Sequence, residues 1–188
     1  MMSDESFLPP SGGYRNLRAY QVAEIIYDLT FLFTQTFLSP KDRTVDQMVQ
    51  AARSGKQNIA EGSLASRASK ETEIKLTNVA HASLGELQAD YEDYLRVRHK
   101  PIWDKDHPRF GKMKLYARSE QFKAEYGEVS KRLDDEELAN LCLTLISQCQ
   151  FLIDRLIAAQ EKQFLENGGI REAMSRARLN RRSRPPEK

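Results

Sequence analysis

Reactive side chains are scarce in this sequence. Of 188 residues only two are cysteine, three histidine and one tryptophan. Cys142 and Cys149 stand two helical turns apart in one apolar stretch, about 10 Å along the axis, so they cannot pair with each other. They read as core residues of a protein kept in a reducing compartment. No apolar run approaches the roughly 18 consecutive residues of a membrane span, and Met1-Met2-Ser3-Asp4-Glu5 lacks the basic-then-apolar order of a secretory leader. The expectation is a cytoplasmic protein with no membrane partner.

Chemical motifs are equally sparse. His81, His99 and His107 are isolated, and none forms the Glu-x-x-His pair that a di-metal carboxylate bundle needs from facing helices. Neither a glycine-rich phosphate loop nor a nucleophile elbow is present. Glu73-Ile74-Lys75 resembles half of a metal-dependent nuclease motif, but that motif belongs on a strand and this copy falls in a helical pattern. Glu86, Asp90 and Asp93 line one helical face beside Glu92; a solvated acidic face explains them more simply than a cation site. No catalytic residue, cofactor or metal is expected, and the chain reads as a non-enzyme.

What is abundant is charge on a helical period. Charged residues make up 30% and hydrophobic residues 40%, and the two are interleaved at 3.6-residue spacing. After a lead ending in Pro9-Pro10-Ser11-Gly12-Gly13, helix one is predicted from about Asn16 to Phe37, with Val22, Ile25, Ile26, Leu29, Leu32, Phe33 and Phe37 in one stripe. Tyr20, Tyr27 and Phe31 fall outside that stripe, an apolar excess that calls for a second partner surface. Ser39-Pro40 ends the helix, and Thr44-Val45-Asp46-Gln47 fits a capping box that starts helix two near Val45. Helix three is predicted from about Lys70 to Arg98. Helix four opens on Asp134 and Glu137 and closes at Gly168-Gly169. The fold expected is all-α: an antiparallel up-down four-helix bundle over residues 14–167, with a flexible lead at 1–13, an irregular insertion at about 100–133 and a basic tail at 168–188.

Net charge hides an asymmetry. From Ile170 to Lys188 seven basic residues oppose two acids, a surplus of +5, so with a total of +2 the rest of the chain carries −3. An arginine-rich end on a mildly acidic body suits an anionic partner, nucleic acid above all, or simply keeps the end solvated. Helix two is unusual in another way. Gln47, Gln50, Arg53, Ser54, Gln57, Asn58 and Glu61 replace the Lys/Glu alternation of a solvated face, and amides with arginine make directional hydrogen bonds. A neighbouring subunit, a nucleic-acid backbone and an intrachain polar network each fit that face.

These residues also carry a resemblance. Tyr14-Arg15-Asn16-Leu17, the stretch from Arg43 to Ser54 and above all Asn58-Ile59-Ala60-Glu61-Gly62 resemble the bacterial four-helix bundle proteins first met as reading frames in intervening sequences of 23S ribosomal RNA genes. The runs Ser69 to Leu76 and Ala82 to Leu87 are similar to the branch called the four helix bundle suffix domain. The likeness covers about Gly12 to Arg98, with helix four matching only in pattern. It implies an up-down bundle, often a ring-like homopentamer, without known enzymatic activity; a related accessory protein of diversity-generating retroelements binds nucleic acid and a reverse transcriptase through basic surfaces.

Together these readings predict a homo-oligomeric helical scaffold that associates with RNA or DNA. The expected phosphate contacts are Arg53, Lys56, Arg67 and Lys70 with the terminal Arg176, Arg178, Arg181, Arg182 and Arg184. Tyr20, Tyr27, Phe31, Gln50, Arg53, Gln57, Asn58 and Glu61 are expected at the subunit interface. A self-assembly module with a protein partner and no nucleic acid is the alternative.

Overall fold

The computed structural model describes residues 13–182, and they are helical with no strand among them. A 3-10 turn, Tyr14–Asn16, leads into α1 (Arg18–Phe37), followed by α2 (Arg43–Ala65), α3 (Lys70–Val97), α4 (Phe110–Tyr116), α5 (Glu120–Val129), a second 3-10 turn, α6 (Asp135–Asn167) and α7 (Ile170–Arg182). The four long helices expected from the sequence are present, but the helix count exceeds four. The 100–133 insertion is not irregular, since α4 and α5 occupy much of it, and α7 occupies most of the basic tail. The expected lead at 1–13 lies, except for Gly13, outside the described residues.

Capping explains most of the boundaries. The Asp134 side chain accepts the Glu137 amide while the Glu137 side chain accepts the Asp134 amide, a reciprocal box at the start of α6. Ser69 caps α3 by accepting the Thr72 amide at 3.1 Å. The expected Thr44 cap of α2 is displaced by two residues: Asp42 is the cap and accepts the Thr44 amide at 2.9 Å. A carboxylate caps as well as a hydroxyl and adds a charge favoured by the helix dipole. Gly168 closes α6 at φ 71°, in the left-handed region that favours glycine.

The core joins α1, α2, α3 and α6. Ile26, Leu29, Phe33, Met48, Ile59, Leu84, Leu87, Leu138, Leu145 and Ile146 are all but fully buried in one cluster. At its centre Tyr91 is buried outright, its ring 5.0 Å from Phe33 and its hydroxyl donating to Thr30 Oγ1 at 3.1 Å. That bond satisfies a polar tip that burial would otherwise strand. An 18-residue window within Asp135–Asn180 reaches a mean hydropathy of 1.4, enough by length and composition to cross a membrane. Its stripe Leu138, Leu141, Cys142, Leu145, Ile146, Cys149 and Ile153 is buried in the shared core, as a helix packed on two neighbours requires.

Small residues set the approach of α2 to α3. A Cβ at Gly55 would lie 2.9 Å from Leu84 Cδ2, and one at Gly62 would lie 3.2 Å from the Glu73 carbonyl. Position 55 therefore faces 84 while 62 faces 73, so the two helices run in opposite directions. On α3 and α6, Tyr94 meets Asp135 while Glu73 and Thr77 meet Gln160, again in opposite sense.

The insertion straps the start of α6. Lys100 donates to Asp135 at 2.8 Å, the Trp103 indole to Glu136 at 2.9 Å and Arg109 to Glu137 at 2.6 Å, so the insertion supplies one donor to each acid of the first turn. The buried Asn140 accepts the Trp103 amide and donates to the Pro101 carbonyl. Phe122 is fully buried against the core, and the Tyr126 hydroxyl reaches Asp28 on α1 at 2.7 Å.

Gly55→Leu forces a side chain into the Leu84 contact and should cost about 2–3 kcal/mol in urea unfolding, whereas Gly127→Ala, with nothing within 4 Å of its new Cβ, should stabilise α5 by up to about 1 kcal/mol. Burial first, then hydrogen bonds to Asp135, Glu125 and Asp28, push the phenols of Tyr94, Tyr116 and Tyr126 up to about 12. A phenol whose folded pKa is raised adds stability below its unfolded pKa of about 10 that is lost as pH rises through 12. Unfolding midpoints should fall between pH 10 and 12, and less steeply with all three residues changed to Phe.

Candidate nucleic-acid interface

The predicted phosphate contacts come from distant parts of the sequence, and the fold brings three of them together. Arg67 lies in the short turn between α2 and α3, Lys70 begins α3, and Arg176 comes from the second turn of α7; all three line one cavity of about 220 Å³. Ser66, Ser69, Gln163 and Asn167 supply its neutral polar wall, and among the described residues no carboxylate lines it.

Each cation is held differently. Lys70 donates to Glu73 at 2.9 Å, and Glu73, only 9% exposed, accepts in turn from Gln160 at 3.3 Å. Arg176 is oriented by a bond to the Asn167 carbonyl. Arg67 is half-buried, and its Nε is shielded from solvent with no acceptor within hydrogen-bond reach. A buried donor left unmatched costs about 1–3 kcal/mol. Glu172, at the same junction, turns its carboxylate to the Gly169 amide at 2.9 Å and so caps α7.

The third feature is α7 itself. Ile170, Ala173 and Ala177 are half-buried at helical spacing, leaving Arg171, Arg178 and Arg182 exposed within about 40° of one line on the helix surface. This stripe runs about 16 Å along the axis. Arg181 belongs to the same helix, and Arg184 lies outside the described residues.

Arg53 and Lys56 do not join this group. Lys56 Nζ sits 4.2 Å from the centroid of the Tyr27 ring, so a residue expected to hold phosphate and one expected at an interface are partners within the chain. Arg53 is exposed one turn earlier on α2. Half of the amide face of α2 is also internal: Asn58 donates to the Ser54 carbonyl at 2.9 Å and to Ser54 Oγ, which lies 3.0 Å from Ser83 Oγ on α3. Gln57 donates to Glu61 at 3.3 Å, while Gln50 is exposed. Tyr20 rests edge-on against Tyr14 and donates to Glu24. Phe31 is 50% exposed.

The chemistry-bearing residues elsewhere are placed for structure. Glu73 and Lys75 point to different faces of α3, one buried and one exposed. His81 pairs with Asp154 across α3 and α6 at 3.3 Å. Asp90 is raised by burial and then by Asp93 and Glu86, while Arg96 holds Asp93 at 2.7 Å. Burial pushes the Cys142 and Cys149 thiols up to about 12, which removes both as thiolate nucleophiles at neutral pH. A second cavity, about 380 Å³, lies between α3, α4 and α6, but Glu92 shares its wall with Lys114 and Arg118, so its charge is mixed.

The sequence pointed to the cations but missed Gln163, Asn167 and Ser66 as wall residues. Their polarity at the ends of helices was the available signal. Compared with family models, curated proteins and solved structures, the chain matches none.

Replacing Arg67 by Met keeps the apolar stem and removes the unmatched Nε. In phosphate-free buffer, Arg67→Met should unfold at higher urea than the parent, by about 1–2 kcal/mol; a loss of that size would mean that the guanidinium is already satisfied.

Proposed function

We propose that this chain is a non-catalytic, self-associating helical scaffold that binds RNA or DNA through its phosphates. One observation carries the reading: cations from the α2–α3 turn and from α7 meet around a cavity whose described lining has no carboxylate, while α7 turns an exposed arginine stripe to its other side. Arginines held on helices suit sequence-independent phosphate contact, because each offers a fixed fork of donors to the backbone rather than to base edges.

On this reading α1, α2, α3 and α6 form an antiparallel up-down four-helix bundle, to which the insertion and α7 are added. The opposed registers of α2 with α3 and of α3 with α6 support that class, as does the resemblance carried by Asn58 to Gly62. The same resemblance favours a homopentamer as the assembly. A surface for it is available along α1 and α2, where exposed Phe31 stands one turn beyond Tyr27 and exposed Arg53 one turn before Lys56. That half-exposed phenylalanine also favours the second reading, a self-assembly module with a protein partner alone.

Retardation of single-stranded RNA and DNA at low salt tests the first reading, and absence of any shift leaves the second. Changing Arg171, Arg178 and Arg182 to Gln should flatten the dependence of log affinity on log salt by about 2, three contacts at roughly 0.7 each. Light scattering should give a mass several times 21.6 kDa; a monomer at all concentrations rules out self-association.

A further inference from the structure

We infer that the cavity between the α2–α3 turn and α7 is a receptor for a phosphate monoester, the terminal phosphate of a nucleic-acid strand, rather than one more contact to internal phosphodiesters. This rests on the nucleic-acid reading above and sharpens it. Charge is the first ground. Arg67, Lys70 and Arg176 bring three positive charges, and Glu73 already balances that of Lys70. Arg67 and Arg176 remain without a carboxylate ion pair, the Glu172 carboxylate at this junction being taken up by the Gly169 amide, and a terminal phosphate carries about −1.5 to −2 at pH 7, whereas an internal phosphodiester carries a single charge.

Donors are the second ground. The Arg67 side chain lines the cavity and its Nε, shut off from solvent, has no acceptor, so a ligand in the cavity would meet the outer N–H groups of the guanidinium. A monoester offers three terminal oxygens, so it can accept from Arg67, Lys70 and Arg176 at once, and charge-assisted bonds of this type are the strong ones. Arg176 is turned toward the junction by the Asn167 carbonyl, itself on a residue of the wall. Shape is the third ground. The cavity is larger than a phosphate group and its remaining wall is neutral, with Ser69, Gln163 and Asn167 suited to a sugar hydroxyl.

The test uses the full chain and one short single strand made with either a 5′-phosphate or a 5′-hydroxyl, titrated by fluorescence anisotropy at low salt. The phosphorylated strand should bind at least about tenfold more tightly. Arg176→Gln and, separately, Arg67→Met should bring that ratio toward one, with circular dichroism confirming that each variant is folded. Equal affinity for both strands in the parent overturns the receptor while leaving nucleic-acid binding in place. If neither strand binds, inorganic phosphate and a nucleoside monophosphate decide: a rise in melting temperature in the parent that both variants lose keeps the cavity as a phosphate site and removes the nucleic-acid reading. No such rise removes both.

Discussion

The Gln160 amide, held between Glu73 and Thr77, is the contact on which the cationic end of the molecule depends. Beyond Ile157 α6 buries no apolar side chain, and Gln160, at 5% exposure, is the buried residue of its last three turns. Apolar packing tolerates small sliding; a buried amide matched to a carboxylate and a hydroxyl does not, because every displaced bond leaves a polar group stranded. Gln160 thus fixes where α6 ends relative to where α3 begins. The match is not complete, since Gln160 Oε1 has no donor, so this end carries part of its specificity at a cost in stability.

From that register the cavity follows. Gly62 lets α2 approach the Glu73 carbonyl closely, which brings the Ser66–Ser69 turn and its Arg67 beside the start of α3. Glu73 serves both sides of the junction: one oxygen accepts from Gln160 inside, the other from Lys70 at the rim. Gly168, at positive φ, then ends α6 and redirects the chain so that Arg176 returns to the Asn167 carbonyl. The cations converge because helix ends converge, and the helix ends are set by polar contacts and by glycines.

The four long helices were legible because their apolar residues recur at 3.6-residue spacing and because Asp134, Glu137, Ser69 and Gly168 are strong end signals. The insertion was not. Its helices are short, α4 having 7 residues, and a short helix shows too few turns for a period to stand out. What holds the insertion is long-range, Trp103 to Glu136 and Tyr126 to Asp28, and sequence spacing carries no trace of such pairs. Cap position failed by two residues at α2 because Asp42 and Thr44 are both good caps, and only the backbone decides between them. Among the site residues, Arg67, Lys70 and Arg176 were recognisable as cations, but their convergence was hidden by the more than one hundred residues between Lys70 and Arg176. Charge alone likewise does not reveal that Lys56 lies over an aromatic ring, that of Tyr27.

α7 is the least buried of the long elements: its inward face offers only Ile170, Ala173 and Ala177, all half-buried. So few small apolar groups contribute little to holding a 13-residue helix in place. A phosphate bound in the cavity would touch the α2–α3 turn and Arg176 together and so act as a further contact between α7 and the body. Binding and docking are then linked, and each must strengthen the other by the same free energy. On the proposed reading the arginines of α7 would be best ordered when the cavity is filled, and their affinity for internal phosphates would be coupled to that of the cavity for a strand end.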